Sequence, residues 1–576
     1  MTLLRVLALP VLRACFAVGC FNVCAAFSGL SADPAQAQIR YAQSDFPESL
    51  ERLPPLPADP LLEAPAVPGR SPEGATETLE TIVVRGFEIV GSSIFSEEEL
   101  AAATAAYLNR PLTQAELFEA RSAITQLYTD SGYVNSGAYI PPQTLNDGTV
   151  VIQVLEGRLA DINVSIDGPL APDYVRRRLA RASAAPLNAE RLLDALRLLQ
   201  LDPVIASVSA ELATGAEPGT SILDVKVAVA DTFSLELKTD NDRSPSVGSW
   251  RRGIALSEAN LLGYGDRLGL EYLNTSGSDE LSLDYRFPVN ERGSTIGAEA
   301  SWSNSEIIED PFSVLDIQSE SKNYKFFIRH PVVQTPTDEL ALGLALTHQR
   351  SQTDFLGSVI GESVGFPSPG ADADGRTRLS ALRFSQEWTQ TGSREVLALF
   401  SEFSVGLDLL DASINAEGPD SRFFSWRGQT QWVRLLAPDT LLLLEGALQL
   451  SGDDLLPLEE FAVGGSQTVR GYRQNSLLTD SGFSVSSELR MPLYRADRIG
   501  GLLQIAPFFN IGSGWNTKNP DPDPDLLASV GLGLLWRQGE QLTARLDWGI
   551  PLVDVEQQTS TLQESGIHFS FNYRLF

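Results

Sequence analysis

The sequence predicts a mainly β protein in which two small α+β domains precede an antiparallel transmembrane β-barrel of about 16 strands. Three observations predict this fold class: an N-terminal export signal, a duplicated β-α-α-β-β pattern over residues 81–230, and alternating apolar and polar residues from 231 to 576. Alternate side chains of a strand point to opposite faces, so a wall between lipid and water produces this two-residue period. A large soluble β-sandwich is the alternative for the long β region.

The first 37 residues have the features of a signal peptide. Two arginines precede an apolar run from Ala14 to Phe27, and Ala35-Gln36-Ala37 gives an A-x-A cleavage pattern. All three cysteines precede residue 25, so the predicted mature chain carries none, which suits export through an oxidising periplasm. A membrane anchor and a lipoprotein site at Cys20 are the alternatives.

Residues 38–80 are predicted to be a linker. Seven prolines between residues 54 and 72 favour an extended, semi-rigid chain. Only a short helix, from about Phe46 to Leu53, fits before them.

An internal repeat follows, and each copy has the order β-α-α-β-β. The first copy, residues 81–157, opens with a strand over Ile82–Val90. Ser96 with Glu99, and Thr113 with Glu116, form the S/T-x-x-E pattern that begins a helix, so helices to about residues 108 and 129 are expected. Strands are expected at about 133–140 and 149–155.

The second copy, residues 158–230, repeats this order at an offset of about 75 residues. Its strands are predicted at 160–166, 204–212 and 222–229, and its helices at 172–182 and 188–199. Two copies are too few for a solenoid, so they are interpreted as two small domains in tandem.

The region from 231 to 576 is predicted to be the barrel. One strand with its turn takes about 21 residues, so this region holds about 16 strands. An even number of strands returns both ends of the barrel to the periplasmic side. The alternation at Leu542, Ala544, Leu546 and Trp548, and again from Ile567 to Leu575, illustrates the pattern.

Composition and motifs exclude several function classes. The formal charge of −31 argues against nucleic-acid binding, which needs clustered Lys and Arg. The sequence contains no G-x-S-x-G, Walker P-loop or H-E-x-x-H motif, so no enzyme activity and no cofactor are expected. The three histidines, His330, His348 and His568, are scattered through the barrel, so no metal site is predicted.

Two β-α-α-β-β domains before a barrel resemble the POTRA domains of the BamA and two-partner secretion superfamily. Residues 461–480 resemble the long sixth extracellular loop of that family, which folds back into the lumen. Val469, Arg470, Gly471 and Tyr472 match its V-R-G-[FY] tip in full. With two POTRA domains, the chain most resembles the two-partner secretion transporters of ShlB/FhaC/HecB type. A surface hairpin turn is the alternative for 469–472.

The resemblance implies a partner for Arg470 on the barrel wall, where the family has an F-x-D-x-G pattern. Here the matching positions are Phe508, Asn510 and Gly512, so an amide replaces the aspartate and the ion pair is lost. We therefore expect Arg470 to contact Asn510, or to use a carboxylate such as Glu488. An arginine in a lumen keeps its charge and needs acceptors.

The resemblance also implies the partners and the mechanism. We expect the POTRA domains to capture the unfolded N-terminal domain of a secreted, TpsA-like exoprotein, which then passes through a monomeric barrel in outer-membrane lipid. A helix that plugs the pore is common in the family, but here only the short segment 38–52 is available for it. An assembly factor of BamA type and a passive porin are the alternatives.

Overall fold

The computed structural model describes residues 62–63, 81–144, 147–555 and 560–576. Within them the chain forms two compact units, residues 81–231 with 262–265, and residues 232–261 with 266–576. The predicted signal peptide (1–37) and the short helix near 46–53 lie outside the described residues, as does most of the predicted linker (38–80). Among the described residues, no helix has both the length and the apolar character needed to cross a membrane.

The first unit contains both copies of the repeat, as small sheets with two helices each. Its elements are β1 (Leu62–Glu63), β2 (Ile82–Val83), β3 (Gly86–Val90), α1 (Glu97–Thr104), β4 (Pro111–Leu112), α2 (Gln114–Asp130), β5 (Gly137–Tyr139), β6 (Thr149–Leu155), β7 (Arg158–Asp167), α3 (Pro172–Ala182), α4 (Ala189–Gln200), β8 (Ile205–Thr214) and β9 (Thr220–Val229).

In the first copy, the predicted capping boxes are confirmed. Ser96 and Thr113 each accept a hydrogen bond from the backbone N–H three residues on, and the Glu there bonds back to the cap. The sheet has the order β3-β6-β5, with β3 parallel and β5 antiparallel to β6. Its core contains Tyr128 and Ile152, both fully buried.

Three predicted boundaries in this copy were wrong. The strand predicted at about 133–140 begins only at Gly137, because Ser136 N–H donates to the Tyr133 carbonyl in a turn. The strand predicted over Ile82–Val90 is interrupted, because the Val84 carbonyl accepts from Asn109 N–H and Arg85 N–H donates to the Gly148 carbonyl. The first helix is α-helical only to Thr104 and continues as a 3-10 turn over Ala105–Tyr107.

The second copy forms a sheet in the order β1-β8-β9-β7, in which β7 is parallel and β8 antiparallel to β9. Asn188 caps α4 by accepting from Arg191 N–H. One face of each helix packs onto the sheet, burying leucines such as Leu179 and Leu192. The outer edge of β8 pairs in parallel with the two residues of β1.

The second unit is a closed antiparallel barrel of sixteen long strands. They are β10 (Phe233–Asp240), β11 (Arg251–Glu258), β12 (Arg267–Asn274), β13 (Ser278–Pro288), β14 (Thr295–Glu306), β15 (Gln318–Gln334), β16 (Asp338–Phe355), β18 (Arg376–Thr391), β19 (Glu395–Leu407), β20 (Phe424–Ala437), β21 (Thr440–Ser451), β24 (Ser481–Ala496), β25 (Gly501–Trp515), β26 (Leu526–Gln538), β27 (Leu542–Pro551) and β28 (Ile567–Arg574). The short elements between them include α5 (Gly357–Ile360), β17 (Val364–Gly365), β22 (Phe461–Val463), β23 (Leu477–Thr479) and 3-10 turns over Pro245–Val247, Phe312–Leu315 and Asp497–Ile499.

The two faces of the barrel wall differ as the alternation predicts. On β15, Phe326 and Ile328 are exposed on the outer face, whereas Lys325, the residue before Phe326, is buried on the lumen side. An apolar outer face suits lipid, and the polar inner face suits a water-filled lumen.

The barrel closes where the first strand meets the last. β10 pairs with β28 over five residue pairs, whereas it pairs with β11 over eight. This seam is lengthened by Asn241, whose side-chain amide donates to the Ile567 carbonyl at 2.8 Å and whose amide oxygen accepts from Phe569 N–H at 2.7 Å. The Asn241 N–H also donates to the Phe569 carbonyl at 3.2 Å, so its backbone and its side chain together extend the ladder beyond Asp240.

Candidate functional site at the tip of the lumen loop

Residues 452–480 connect β21 to β24, and we call them the lumen loop. Its two arms pair as a short hairpin, β22 with β23, and residues 464–476 form the tip between them. Gly464 and Gly465 have φ values of 111° and 95°, which allow the chain to turn sharply after β22. Phe461, Val463, Val469, Tyr472 and Leu477 form one buried apolar cluster with Leu527 of the wall strand β26.

Arg470 extends from this tip into the inner face of the barrel wall. Its Nε donates to Asn510 Oδ1 at 3.0 Å, and its Nη1 donates to Glu488 Oε2 at 2.6 Å. The guanidinium carbon lies 3.6 Å from the ring centroid of Phe508, a cation–π contact. Arg470 is only 5% exposed, so both of the partners expected from the sequence, the amide and the carboxylate, contact it.

Glu488 is the centre of a larger group of charges on the wall. Arg490 donates to it at 2.6 Å and Arg545 at 2.5 Å, in addition to Arg470. Arg545 also bonds Asp547 at 2.6 Å. Three guanidinium groups therefore meet two carboxylates, a net charge of 3 − 2 = +1. Buried charges of this kind are stabilising only as a network, because removing one partner leaves another unpaired.

Gly471 brings the loop backbone against the wall. Its N–H donates to Nε2 of His568 at 3.1 Å, so that nitrogen is the acceptor and the ring proton of the neutral imidazole lies on Nδ1. A Cβ placed on Gly471 would lie 3.0 Å from the backbone carbon of Gly549. With a φ of 97° as well, the position requires glycine.

Tyr472 and Val469 anchor the two sides of the tip. The Tyr472 hydroxyl lies 2.8 Å from the Ala528 carbonyl and accepts from Val553 N–H at 3.1 Å. Val469 is fully buried, and a Cβ on Gly512 would lie 3.1 Å from its Cγ2. Val463 Cγ1 would be closer still, at 2.6 Å, so Gly512 leaves the space on the wall that Val463 and Val469 fill together.

The structure brings together all seven residues that the sequence singled out: Val469, Arg470, Gly471, Tyr472, Glu488, Asn510 and Gly512. Sequence reasoning missed Arg490, Arg545, Asp547 and the bond to His568. A signal was available for two of them, because the outward alternation at positions 542, 544, 546 and 548 leaves 545 and 547 facing the lumen. The alternation from Ile567 to Leu575 puts His568 on the polar face of its strand, but it does not indicate a partner.

Comparison with known proteins gives two family matches. The family described as haemolysin secretion/activation protein ShlB/FhaC/HecB matches residues 219–535. The ShlB-type POTRA domain matches residues 82–157.

Two relatives and one solved structure are similar over most of the chain. The heme/hemopexin transporter protein HuxB of Haemophilus influenzae strain 86-028NP is 22% identical over 76% of this chain and 77% of its own length. The outer membrane transporter CdiB of Escherichia coli is 22% identical over 88% of this chain and 83% of its own. The solved structure of CdiB from Escherichia coli superposes with a TM-score of 0.71 at 19% identity, covering 95% of this chain and 98% of that one.

Proposed function

The chain belongs to the haemolysin secretion/activation protein family ShlB/FhaC/HecB, and we propose that its lumen loop is the gate that controls secretion. The chain is an outer-membrane transporter of two-partner secretion. Its POTRA domains lie in the periplasm, and it moves an exoprotein outward through its barrel. The observation that carries the proposed gate is the insertion of Arg470 into a buried charge network of the wall. A polypeptide that enters the lumen has to displace this loop.

The first POTRA domain offers an edge for capturing the exoprotein. Its outermost strand β5 is short, and Phe118, Val134 and Tyr139 around it are each about half exposed. The corresponding edge of the second domain, β8, is paired with β1. An extended segment of the exoprotein's N-terminal domain would add to β5 through main-chain hydrogen bonds, with its apolar side chains against Phe118 and Tyr139.

The energy for transport is proposed to come from folding outside the cell. The sequence has no P-loop, and a chain that folds after leaving the barrel cannot return through it. We propose that the transporter works as a monomer in outer-membrane lipid and takes an exoprotein of the TpsA type. Its role is transport, and its charged lumen residues hold the loop in place.

A pull-down with the fragment 57–231, which keeps β1 on the edge of β8, tests this function. The fragment is mixed with secreted proteins that are unfolded in urea and then diluted. Retention of one large exoprotein through its N-terminal region is the expected result. Tyr139→Asp and Phe118→Asp should abolish retention, while Glu119→Lys, an exposed change on the same helix, should not. Retention of many barrel precursors through their C-terminal strands would instead identify an assembly factor and overturn the proposal.

A further inference from the structure

At the tip of the lumen loop, Arg470 pairs with Glu488, and Arg473 pairs with Glu309 and Glu564. A further buried ion pair holds the loop at its base, before β22. Glu459 lies in the outgoing arm of the loop, just before β22, and Arg383 lies on β18 of the wall. Arg383 Nη2 donates to Glu459 Oε1 at 2.5 Å and Nη1 donates to Oε2 at 3.2 Å. This is a bidentate pair, and Glu459 is 2% and Arg383 6% exposed.

The surroundings of Glu459 fix the base of the loop as well. The side-chain amide of Gln449 donates to the Glu459 carbonyl at 2.8 Å and to the Asp480 carbonyl at 3.1 Å, so it joins the two arms. Arg427 in turn donates to the Gln449 amide oxygen at 3.0 Å. The segment before Glu459 packs on the same part of the wall, in an apolar cluster of Leu455, Leu456 and Leu458 with Leu379, Ala381 and Phe423.

The two attachments lie at separate places around the barrel wall. Arg383 is on β18, whereas Glu488, which bonds Arg470, is on β24, and Asp547 is on β27. Three long strands lie between β18 and β24, and six lie between β18 and β27. The loop is therefore held at two distinct parts of the wall.

The two attachments also have opposite polarity. At the tip, the loop supplies the cation and the wall the carboxylate, whereas at the base the loop supplies the carboxylate and the wall the cation. We propose that Glu459 and Arg383 are a second latch, and that the loop leaves the lumen only when both latches are broken. Each latch alone keeps its arm of the loop against the wall, because moving that arm away would leave a buried charge on the wall without its partner.

The proposal rests on the proposed function only where it says that a passing polypeptide must move the loop. Its structural content, two latches acting together, can be measured without any exoprotein. Ser529 of β26 is a suitable reporter, since it is fully buried beside the loop and its hydroxyl has no hydrogen-bond partner among the described residues. Cysteine there is nearly isosteric, and the chain has no cysteine after Cys24.

The experiment uses the full chain carrying Ser529→Cys in liposomes, and measures its labelling rate by a membrane-impermeant maleimide. Glu459→Gln alone and Arg470→Gln alone should each raise the rate by only about twofold to threefold, while the double variant should raise it more than about tenfold. The charge exchange Glu459→Arg with Arg383→Glu should restore slow labelling. Arg329→Gln, which breaks the wall pair with Glu387, is the matched control and should change nothing.

The outcomes separate the latch from the gate. If Glu459→Gln adds nothing in the Arg470→Gln background, or if the charge exchange labels as fast as Arg383→Glu alone, the second latch is wrong. The heat-dependent gel shift of a folded barrel shows that each variant has folded. If labelling responds as expected but secretion of the exoprotein is the same in all variants, the latch stands and the gating function fails.

Discussion

Gly471 at the loop tip and Gly549 on β27 approach so closely that neither can carry a side chain. A Cβ on Gly549 would lie 2.7 Å from both the Cα and the N of Gly471, and a Cβ on Gly471 would lie 3.0 Å from the Gly549 carbonyl carbon. Both contacts are with backbone atoms, so no rotamer change relieves them. This close approach sets the depth at which Arg470 enters the wall.

Gly549→Ala should therefore push the loop tip off the wall without unfolding the barrel. A shift of the tip breaks the Gly471–His568 hydrogen bond and the Arg470 contacts. We expect a raised ion conductance, measured in planar bilayers. Gly452→Ala is the control, since a Cβ there meets nothing within 4 Å. Equal conductance of the two variants would contradict the contact's role.

Arg470→Ala should give a barrel that folds in the membrane and secretes poorly. Glu488 keeps Arg490 and Arg545 as partners after the change, so the loss of stability is expected to be modest, about 1–3 kcal/mol. Arg470→Lys should recover only part of the secretion, because one ammonium cannot reproduce the guanidinium fork toward Asn510 and Glu488. Secretion into the medium and folding by gel shift are measured side by side, and normal secretion by the alanine variant would exclude a gating role.

Asn510→Asp should be tolerated and should hold the loop more tightly. The charge cluster around Glu488 carries three guanidinium groups and two carboxylates, so a third carboxylate brings its sum from +1 to zero. The new carboxylate would accept from Arg470 Nε where the amide oxygen now does, at 3.0 Å, but as an ion pair. Slower labelling of Ser529→Cys is the expected result, and Asn510→Leu should do the reverse. Faster labelling of the aspartate variant would show that the extra charge is repelled by Glu488.

Gln563→Leu should weaken the barrel seam and the loop together. Its side-chain amide donates to the Arg243 carbonyl at 2.8 Å, and also to the Asn241 carbonyl, while its oxygen accepts from Gln474 N–H at 2.9 Å. Each buried group left unpaired costs about 1–3 kcal/mol, so the temperature of the gel shift should fall. Leu562→Gln, at an exposed neighbour, should leave it unchanged.

The capping box of α2 predicts a pH dependence in the POTRA region. The hydrogen bond from Arg110, with those from Thr113, lowers the pKa of Glu116 to about 2. A folded-state pKa below the unfolded value gives stability that is present above about pH 4.3 and is lost as the pH falls toward 2. The fragment 57–231 should therefore melt higher than its Glu116→Gln variant at pH 7, and the difference should vanish near pH 2. Glu119→Gln, an exposed change on the same helix outside the capping box, is the matched control and should melt at the same temperature as the unaltered fragment at pH 7.

Much of the fold follows from local patterns in the sequence. The two-residue alternation predicted the barrel, and the Ser96 and Thr113 boxes fixed where helices begin, because both signals depend only on neighbours along the chain. Strand boundaries follow less closely from local patterns. The interruption at Val84 and Arg85 shows this, since their backbone groups bond to segments distant in sequence.

The site divides in the same way. Through its resemblance to a known family, the sequence by itself determined the loop tip, Val469 to Tyr472, and named Glu488 and Asn510 as candidate partners of Arg470. Only the tertiary structure decided that Arg470 bonds Glu488 and Asn510 at once, that Arg545 and His568 join them, and that Arg383 holds Glu459 at a separate part of the wall. The reason is physical: a period of two tells which face a side chain occupies, but closing sixteen strands into a ring decides which faces meet.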